Sequence, residues 1–201
     1  MFSGIVQELG EIFSVEPREE GLTIGVQGSP TCISELEIGC SVAIDGVCLT
    51  VIRLEEEGKM FFDIIPETLA CTTIGDRSVG DRVNIERSLK VSDEIGGHMV
   101  SGHVCGIGEI VRIEKNRYYF RVPSSLSLYL FEKGFVSVDG ISLTVVTVNE
   151  DVFSVGLIPE TLSRTTLGYK REGSKVNIEP DMATKTQVDT LRRLYPPQQN
   201  R

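Results

Sequence analysis

Short runs of β-branched, aromatic and other apolar residues follow one another along most of the chain. Typical runs are SVAIDGVCLTVIRL (41–54), MFFDIIP (60–66) and DRVNIE (81–86), and Gly, Asp-Gly or Pro interrupts or separates them. Such runs, at a spacing of roughly ten residues, are typical of short strands joined by turns. They predict an all-β sandwich or barrel. A barrel is favoured because closure protects the edge strands of a small sheet.

One segment near the C-terminus has a helical period instead. ATKTQVDTLRRLY (183–195) predicts an amphipathic helix that the prolines at 196–197 would end. Its apolar stripe consists of Val188, Leu191, Leu194 and Tyr195. The helix either caps a barrel or forms an oligomer contact. Short helices or turns that cover a barrel end are predicted within residues 29–39 and 123–134.

An internal repeat organises the chain, because four blocks of the first half recur in the same order in the second half. The matching pairs are MFSGIVQELGEI (1–12) and MVSGHVCGIGEI (99–110), SVAIDGVCLTV (41–51) and FVSVDGISLTV (135–145), IIPETLACTTIG (64–75) and LIPETLSRTTLG (157–168), and VGDRVNIE (79–86) and EGSKVNIE (172–179). The repeat predicts two homologous domains, residues 1–97 and 98–182, followed by a C-terminal helix and tail, residues 183–201.

Composition and charge exclude several classes of protein. The net charge of −9 argues against a nucleic-acid partner, and no run is long and apolar enough to cross a membrane. The first ten residues lack the basic start of a secretory signal. Five cysteines, an odd number without a Cys-x-x-Cys pair, indicate a reduced, cytoplasmic protein.

The residues that the two copies share indicate a similar flat, polar ligand in each. Both copies contain Leu-Thr-Val, which turns Thr50 and Thr144 away from their apolar neighbours on a strand. Both also contain Pro-Glu-Thr, at 66–68 and 159–161, in a polar turn that ends a strand. Taken alone, the threonine of Leu-Thr-Val is explained by its preference for strands, and Pro-Glu-Thr is explained as part of a helix cap. Their repetition favours ligand binding.

The differences between the copies indicate unequal chemistry. Ile5 of the first copy corresponds to His103 of the second, and Cys48 corresponds to Ser142. One pairing of opening segment and strand would place His103 beside Cys48, a base beside a nucleophile. The other would place Ile5 beside Ser142, which is chemically inert. Two similar but unequal sites suit a reaction between two copies of one substrate.

A metal site is disfavoured, because His98 has no partner at a spacing that zinc sites use. We therefore expect no metal. His98 is assigned instead to fixing the segment that joins the two domains, and a role beside a ligand is the alternative.

Several of these motifs together resemble one protein family. They are MFSGIV (1–6), SVAIDGVCLTV (41–51), SDEIGGHMVSGHV (92–104), GISLTV (140–145) and IPETLSRTTLG (158–168). In order and content they resemble riboflavin synthase of the alpha-chain type, a family of lumazine-binding double barrels, over about residues 1–195. The match departs from many relatives at Val47, where those carry a second cysteine.

The resemblance implies a fold, a reaction and an assembly. The fold is two tandem six-stranded Greek-key β-barrels with a C-terminal α-helix. The reaction is a dismutation of two 6,7-dimethyl-8-ribityllumazine molecules into riboflavin and 5-amino-6-(D-ribitylamino)uracil by transfer of a four-carbon unit, without cofactor. The assembly is a homotrimer held by the C-terminal helix, with the active site between neighbouring chains.

The resemblance also implies two lumazine sites. One would be lined by Gly4, Ile5, Val6, Ser142, Leu143, Thr144, Gly156, Leu157, Ile158, Pro159, Glu160 and Thr161. The other would be lined by Gly102, His103, Val104, Cys48, Leu49, Thr50, Asp63, Ile64, Ile65, Pro66, Glu67 and Thr68, with Lys133 from a partner chain.

Roles follow from the same resemblance. His103 would transfer protons, and Cys48 and Ser41 would activate or supply the nucleophile at the acceptor ring. Ring atoms would be bound by Thr50 and Thr144, and ribityl hydroxyls by Asp63, Glu67 and Glu160. Asp181 lies where the family has a further carboxylate of interest.

Two other functions remain open. A lumazine protein, a fluorescent antenna of the same double-barrel family, binds one lumazine or flavin without catalysis. The retention of Ser41, Cys48 and His103 together favours an enzyme. A flavin-binding barrel of a reductase would come with a nicotinamide-binding α/β domain, for which the chain has no room.

Overall fold

Among residues 1–196, which the computed structural model describes, twelve strands form two closed antiparallel barrels of six strands each. The first barrel comprises β1 (Glu8–Pro17), β2 (Leu22–Gln27), β3 (Ser41–Ile44), β4 (Val47–Glu55), β5 (Lys59–Ile64) and β6 (Arg82–Arg87). The second comprises β7 (Gly106–Glu114), β8 (Arg117–Arg121), β9 (Phe135–Val138), β10 (Ile141–Asn149), β11 (Val152–Gly156) and β12 (Lys175–Pro180). The predicted pair of six-stranded barrels is confirmed.

The two barrels share one strand order, as their sequence repeat predicts. The order around the first barrel is β1-β2-β5-β4-β3-β6, and around the second it is β7-β8-β11-β10-β9-β12. Each interior is filled by the inward-facing apolar side chains of its own strands, so each barrel has its own core. The barrels are therefore packed units, and ligands must bind on their outer surfaces.

Within residues 1–196, five helices lie outside the barrels. They are α1 (Pro30–Ile33), α2 (Pro66–Cys71), α3 (Ser124–Ser127), α4 (Pro159–Arg164) and α5 (Met182–Leu194). Single 3₁₀ turns occur at Glu56–Gly58, Ile74–Asp76 and Thr166–Gly168. Helix α5 begins at an N-cap, Asp181, whose side chain accepts a hydrogen bond from the Thr184 N–H at 2.8 Å. It ends before Pro196, whereas Pro197 lies outside the described residues.

Helix α5 lies with one face on the second barrel. Its Asp189 accepts a hydrogen bond from the Tyr129 hydroxyl at 2.5 Å and pairs with Lys185 at 2.6 Å. The apolar stripe lies on the other face, where Leu191, Leu194 and Tyr195 are largely exposed. No helix among residues 1–196 is long and apolar enough to cross a membrane.

The segment that precedes each barrel packs on the other barrel. We call these segments the N-terminal arm (residues 1–7) and the inter-barrel arm (residues 98–105). They pair with each other through Phe2 and Val100, whose backbones exchange hydrogen bonds of 2.7 and 3.0 Å and whose side chains are fully buried. The arms therefore cross between the barrels, and each is held by both halves of the chain.

The same interface contains a symmetric set of buried polar groups. Asn84 Nδ2 donates to the Asp139 carbonyl at 2.9 Å, and Asn177 Nδ2 donates to the Asp45 carbonyl at 2.8 Å. Both acceptors lie in Asp-Gly turns between strands, and the turns touch so closely that a Cβ on Gly46 would lie 2.4 Å from the Gly140 nitrogen. The repeat is thus also a near-twofold symmetry of the molecule.

Candidate functional site

The outer face of β4 carries the first set of candidate residues. Val47, Leu49 and Val51 point into the barrel, so Cys48 and Thr50 point outward. Ser41 of β3 lies opposite Thr50 in the strand register and presents its side chain on the same face. Side chains of all three candidates thus share one patch, which we call the Cys48 cluster.

The inter-barrel arm crosses this patch. The Gly102 carbonyl accepts a hydrogen bond from the Cys48 N–H at 2.9 Å, and a Cβ at Gly102 would lie 2.5 Å from the Cys48 Cβ. Gly102 also has a φ of +81°, which favours glycine. The next residue, His103, is exposed to solvent. Within one chain, the fold therefore brings the arm that carries His103 against Cys48.

The N-terminal arm makes the equivalent contact on the second barrel. The Gly4 carbonyl accepts a hydrogen bond from the Ser142 N–H at 2.8 Å, and a Cβ at Gly4 would lie 2.6 Å from the Ser142 Cβ. Thr144 points outward from β10 beside Ser142, and Ile5 is half exposed next to the arm glycine. We call this patch the Ser142 cluster.

The Ser142 cluster also contains a histidine that the sequence analysis assigned to the linker. His98 Nδ1 lies 2.7 Å from Ser142 Oγ, and its ring stacks on Phe135 with centroids 5.2 Å apart. Burial lowers the pKa of His98, although Asp181 opposes that shift, so the neutral form of the imidazole is favoured. The Ser142 cluster therefore contains an imidazole that the pairing of Ile5 with Ser142 did not predict. Two histidines serve two clusters, one exposed and one buried.

The Pro-Glu-Thr motifs begin helices α2 and α4 beside the two clusters. The side chains of Glu67 and Glu160 are exposed, and Glu160 pairs with Arg164 one turn later. Both helices end in an equivalent bond, in which Thr72 donates to the Thr68 carbonyl and Thr165 to the Thr161 carbonyl, each at 2.7 Å. The motif thus starts and ends a short helix, and its carboxylate is exposed to solvent in both copies.

Several proposed ligand contacts are restricted by where the side chains point. Those of Leu49, Ile64, Leu143 and Leu157 face the barrel cores, so only their backbones face outward. Ile65 and Ile158 are exposed as helix N-caps, and Pro66, Pro159 and Gly156 are exposed beside them. Val6 and Val104 are half-buried against the barrel that their arm crosses.

Two further candidates have neighbours that the sequence did not indicate. Asp63 accepts a hydrogen bond from the Thr23 hydroxyl at 2.6 Å and pairs with Arg18, and these contacts lower the pKa of its carboxyl. Lys133 is exposed on the second barrel and donates its backbone N–H to the Val145 carbonyl. Lys133 therefore lies on the barrel of the Ser142 cluster and not beside Cys48 of its own chain.

A cavity of about 540 Å³ lies between the inter-barrel arm and helix α5. It is lined by His103, Cys105 and Met182, among others. Burial raises the pKa of the Cys105 thiol. Among the described residues, no group of three or more His, Cys, Asp or Glu side chains is arranged to hold a metal ion.

Comparison with known proteins identifies the family. The lumazine binding domain matches the chain twice, over residues 3–88 and 101–181. Riboflavin synthase of Chlamydia pneumoniae is 60% identical over 194 residues, which cover 96% of both chains. The chain belongs to the riboflavin synthase family. Riboflavin synthase of Escherichia coli strain K12 is 45% identical over 205 residues, which cover 100% of this chain and 96% of the relative.

A solved structure shows the same architecture. The crystal structure of LumP complexed with riboflavin has a TM-score of 0.81 and 26% identity, and the match covers 90% of this chain and 99% of that one. As a member of the riboflavin synthase family, the chain is a transferase of riboflavin biosynthesis with two lumazine-binding domains. Each matched domain includes most of the arm that crosses to the other barrel.

Proposed function

We propose that the two clusters hold the two lumazine molecules of the riboflavin synthase reaction in unequal roles. The observation that carries this proposal is the contrast between them. An exposed imidazole and a thiol lie at one cluster, whereas a buried neutral imidazole bonded to a hydroxyl lies at the other. Two copies of one substrate placed in such different surroundings can react as donor and acceptor.

The proposed chemistry needs proton transfer and close placement. The two products contain together all the atoms of the two lumazines, so no external oxidant or reductant is consumed. His103 is assigned to proton transfer at the acidic 7-methyl group of one lumazine. Cys48, Ser41 and the His98–Ser142 pair are assigned to activating or supplying a nucleophile at the acceptor ring. Stacking of the two rings in register supplies much of the rate.

We assign the contacts with the lumazine ring and ribityl chain to side chains that face outward from the barrels. Thr50 and Thr144, at equivalent outward positions, bind ring atoms in the two sites. Backbone groups of the arms and of the segments before α2 and α4 bind the pyrimidine edge. The exposed carboxylates of Glu67 and Glu160 accept hydrogen bonds from ribityl hydroxyls. Asp63 does the same less effectively because Thr23 and Arg18 already occupy it.

We further propose that the reaction occurs between chains of a homotrimer. The crossed Phe2 and Val100 side chains fill the space between the arms, which favours contact between the Cys48 cluster of one chain and the Ser142 cluster of the next. Lys133 would then reach the Cys48 cluster from the partner chain. The exposed stripe on α5, on the face turned away from the second barrel, supports the helix as the trimer contact.

A cytoplasmic location is part of the proposal. All five cysteines are free thiols in the structure. Free thiols in a chain with so many cysteines suit a reducing compartment.

The test is a reaction with a single substrate. Purified protein is mixed anaerobically, in EDTA, with 6,7-dimethyl-8-ribityllumazine alone, and the products are separated by chromatography. One riboflavin and one aminouracil per two lumazines consumed is the expected result. Tight lumazine binding without riboflavin would instead show a binding protein of the antenna type, and the roles of Cys48 and His103 would be withdrawn.

A further inference from the structure

Glu179 is a buried carboxylate of β12 whose oxygens all point at the inter-barrel arm. It accepts hydrogen bonds from the Ser101 N–H at 2.7 Å, the Ser101 hydroxyl at 2.7 Å and the Gly102 N–H at 2.9 Å. Its side chain is 5% exposed. Burial of a carboxylate is costly unless hydrogen bonds replace those it makes with water. The three bonds from the arm therefore stabilise the buried Glu179 carboxylate, and the carboxylate in turn fixes the arm.

The opposite edge of the arm is held by the first barrel. The Gly102 carbonyl accepts from the Cys48 N–H at 2.9 Å, and the Ser101 hydroxyl also accepts from the His103 N–H at 3.2 Å. The N–H groups of residues 101 and 102 are thus bound on one side and the carbonyl of residue 102 on the other. The backbone of His103 is fixed even though its imidazole is exposed.

The first half of the chain contains a matched control for this contact. Glu86 of β6, 4% exposed, accepts from the Ser3 N–H at 2.7 Å, the Ser3 hydroxyl at 2.8 Å and the Gly4 N–H at 3.1 Å. The geometry is the same, but the residue that follows Gly4 is Ile5, which cannot transfer a proton. The two glutamates therefore make the same bonds to their arms, but the residue that follows the arm glycine is Ile5 in one case and His103 in the other.

We propose that Glu179 is a positioning residue for the reaction, because it sets the place and direction of the His103 imidazole against the ring at the Cys48 cluster. The proposal rests on the proposed function of His103. A carboxylate is needed because each of its oxygens serves a different donor. The amide of glutamine has one oxygen and would turn an N–H₂ group toward an N–H or hydroxyl of the arm.

The test is a double-mutant cycle between residues 179 and 103, with residue 86 as the control. Riboflavin formation at saturating lumazine is measured for Glu179→Gln and Glu86→Gln, each with His103 and with His103→Ala. Glu179→Gln is expected to lower kcat by about 10- to 100-fold with His103 present and by less than about threefold with His103→Ala, because no imidazole remains to be misplaced. Glu86→Gln is expected to cost the same factor in both backgrounds.

A milder pair of variants covers the case in which the glutamine variants fail to fold. Ser101→Ala removes one bond to Glu179 and the bond to the His103 N–H, and Ser3→Ala removes the matching bond to Glu86. The Ser101→Ala loss should again disappear with His103→Ala. The Ser3→Ala loss should not.

A second measurement needs no turnover. The chain has two histidines, so selective labelling gives two imidazole resonances. Glu179→Gln, or Ser101→Ala, should shift the resonance of His103 and leave that of His98 in place, whereas the residue 86 and residue 3 variants should leave that of His103 in place.

Each outcome separates the two proposals. If the wild-type protein makes no riboflavin, the proposed function fails, and the resonances still report whether Glu179 places His103. If riboflavin forms but Glu179→Gln and Ser101→Ala cost the same factor with and without His103, Glu179 has only a structural role and the inference is overturned. The same holds if His103→Ala itself has no effect on kcat.

Discussion

At the scale of single residues, the two halves differ at a few side chains, to which we assign the unequal chemistry of the two proposed sites. Gly4 and Gly102 have the same structural role, because the absence of a side chain lets each arm contact a strand of the opposite barrel. The residue after each glycine, Ile5 or His103, is free to differ because the contact does not use it. The same is true of Cys48 and Ser142, whose backbones make the contact in both halves.

Gly102→Ala is expected to destabilise the protein by about 3 kcal/mol or more and to abolish turnover. A left-handed alanine costs about 1–2 kcal/mol, and overpacking against Cys48 adds to it. The control is Gly173→Ala, which has a similar φ of +85° but open space around the new Cβ. It should cost only about 1–2 kcal/mol, the cost of the left-handed alanine, and keep full activity. Denaturant unfolding and riboflavin formation measure both, and equal costs would refute the close-contact argument.

His98 is expected to make stability depend on pH on the acid side of neutrality. Because burial lowers its pKa below the unfolded value of 6.5, its contribution is present above pH 6.5 and is lost as pH falls through the folded pKa. His98→Asn keeps a group near Nδ1 that does not titrate. The wild-type free energy of unfolding should therefore fall relative to this variant between pH 7.5 and pH 5. Parallel curves for the two proteins would show that His98 is not held neutral.

At the scale of elements, outer faces of strands and helices carry the residues of the proposed sites. On β4 and β10 the inward residues fill a core and the outward ones form a cluster, so one alternating pattern serves both needs. Helix α5 divides in the same way, with Lys185 and Asp189 on the second barrel and Leu191 and Leu194 exposed. The sequence stripe left capping and oligomer contact open. The structure shows one face on the second barrel, and the exposed apolar face is the one that we propose for the trimer contact.

Leu191→Glu is expected to dissociate the proposed trimer, because it places a charge in the middle of the exposed apolar stripe. Sedimentation should show single chains. Riboflavin formation should fall by at least about 100-fold while the fold remains, because a site shared between chains cannot form in one. The control is Thr190→Glu, an exposed neighbour off the stripe, which should stay trimeric and active. A monomeric but fully active Leu191→Glu protein would exclude a site between chains.

At the scale of the whole molecule, a near-twofold interface joins the barrels through buried amides. Asn84 and Asn177 each bridge to the opposite half, where each also accepts a backbone N–H, from Thr166 at 2.8 Å and from Thr73 at 2.7 Å. Each of these groups would stay buried and lose its partner if one barrel shifted along the other while the interface remained closed. The buried hydrogen bonds are satisfied in only one relative orientation of the barrels, and this orientation also fixes the position of the arms.

Asn177→Ala and Asn84→Ala are each expected to lower the free energy of unfolding by about 2–5 kcal/mol, since each leaves two buried backbone groups without a partner. Symmetry predicts similar losses. Asn149→Ala, at an exposed strand end, should change stability by less than about 0.5 kcal/mol. Thermal or urea unfolding measures all three. A loss at one asparagine alone would show that the halves are not docked symmetrically.

The sequence predicts the fold well because its signals are local and repeated. Asp-Gly turns, alternating strands and a helical stripe each determine the local backbone conformation. The internal repeat then requires that the two halves of the chain adopt the same fold. The pairing of His103 with the Cys48 strand also follows from comparing the two copies. The His98–Ser142 bond does not, because it joins residues 44 apart and His98 lies just before the block that matches the start of the first copy. The contacts of Glu86 and Glu179 with the arms are not predicted either, because nothing in the sequence VNIE indicates that its carboxylate binds an arm.

The crossing of the arms bears on how the chain arose. A single-barrel ancestor that exchanged its arms with a second copy would have made two identical sites, and a mutation in its gene would have changed both at once. Joining two copies of that gene end to end keeps the exchange but frees each arm and strand to mutate alone. The isoleucine and histidine that now follow the two arm glycines, and the cysteine and serine beneath them, record that freedom. Division of labour between two like substrates then becomes available to selection without any change of fold.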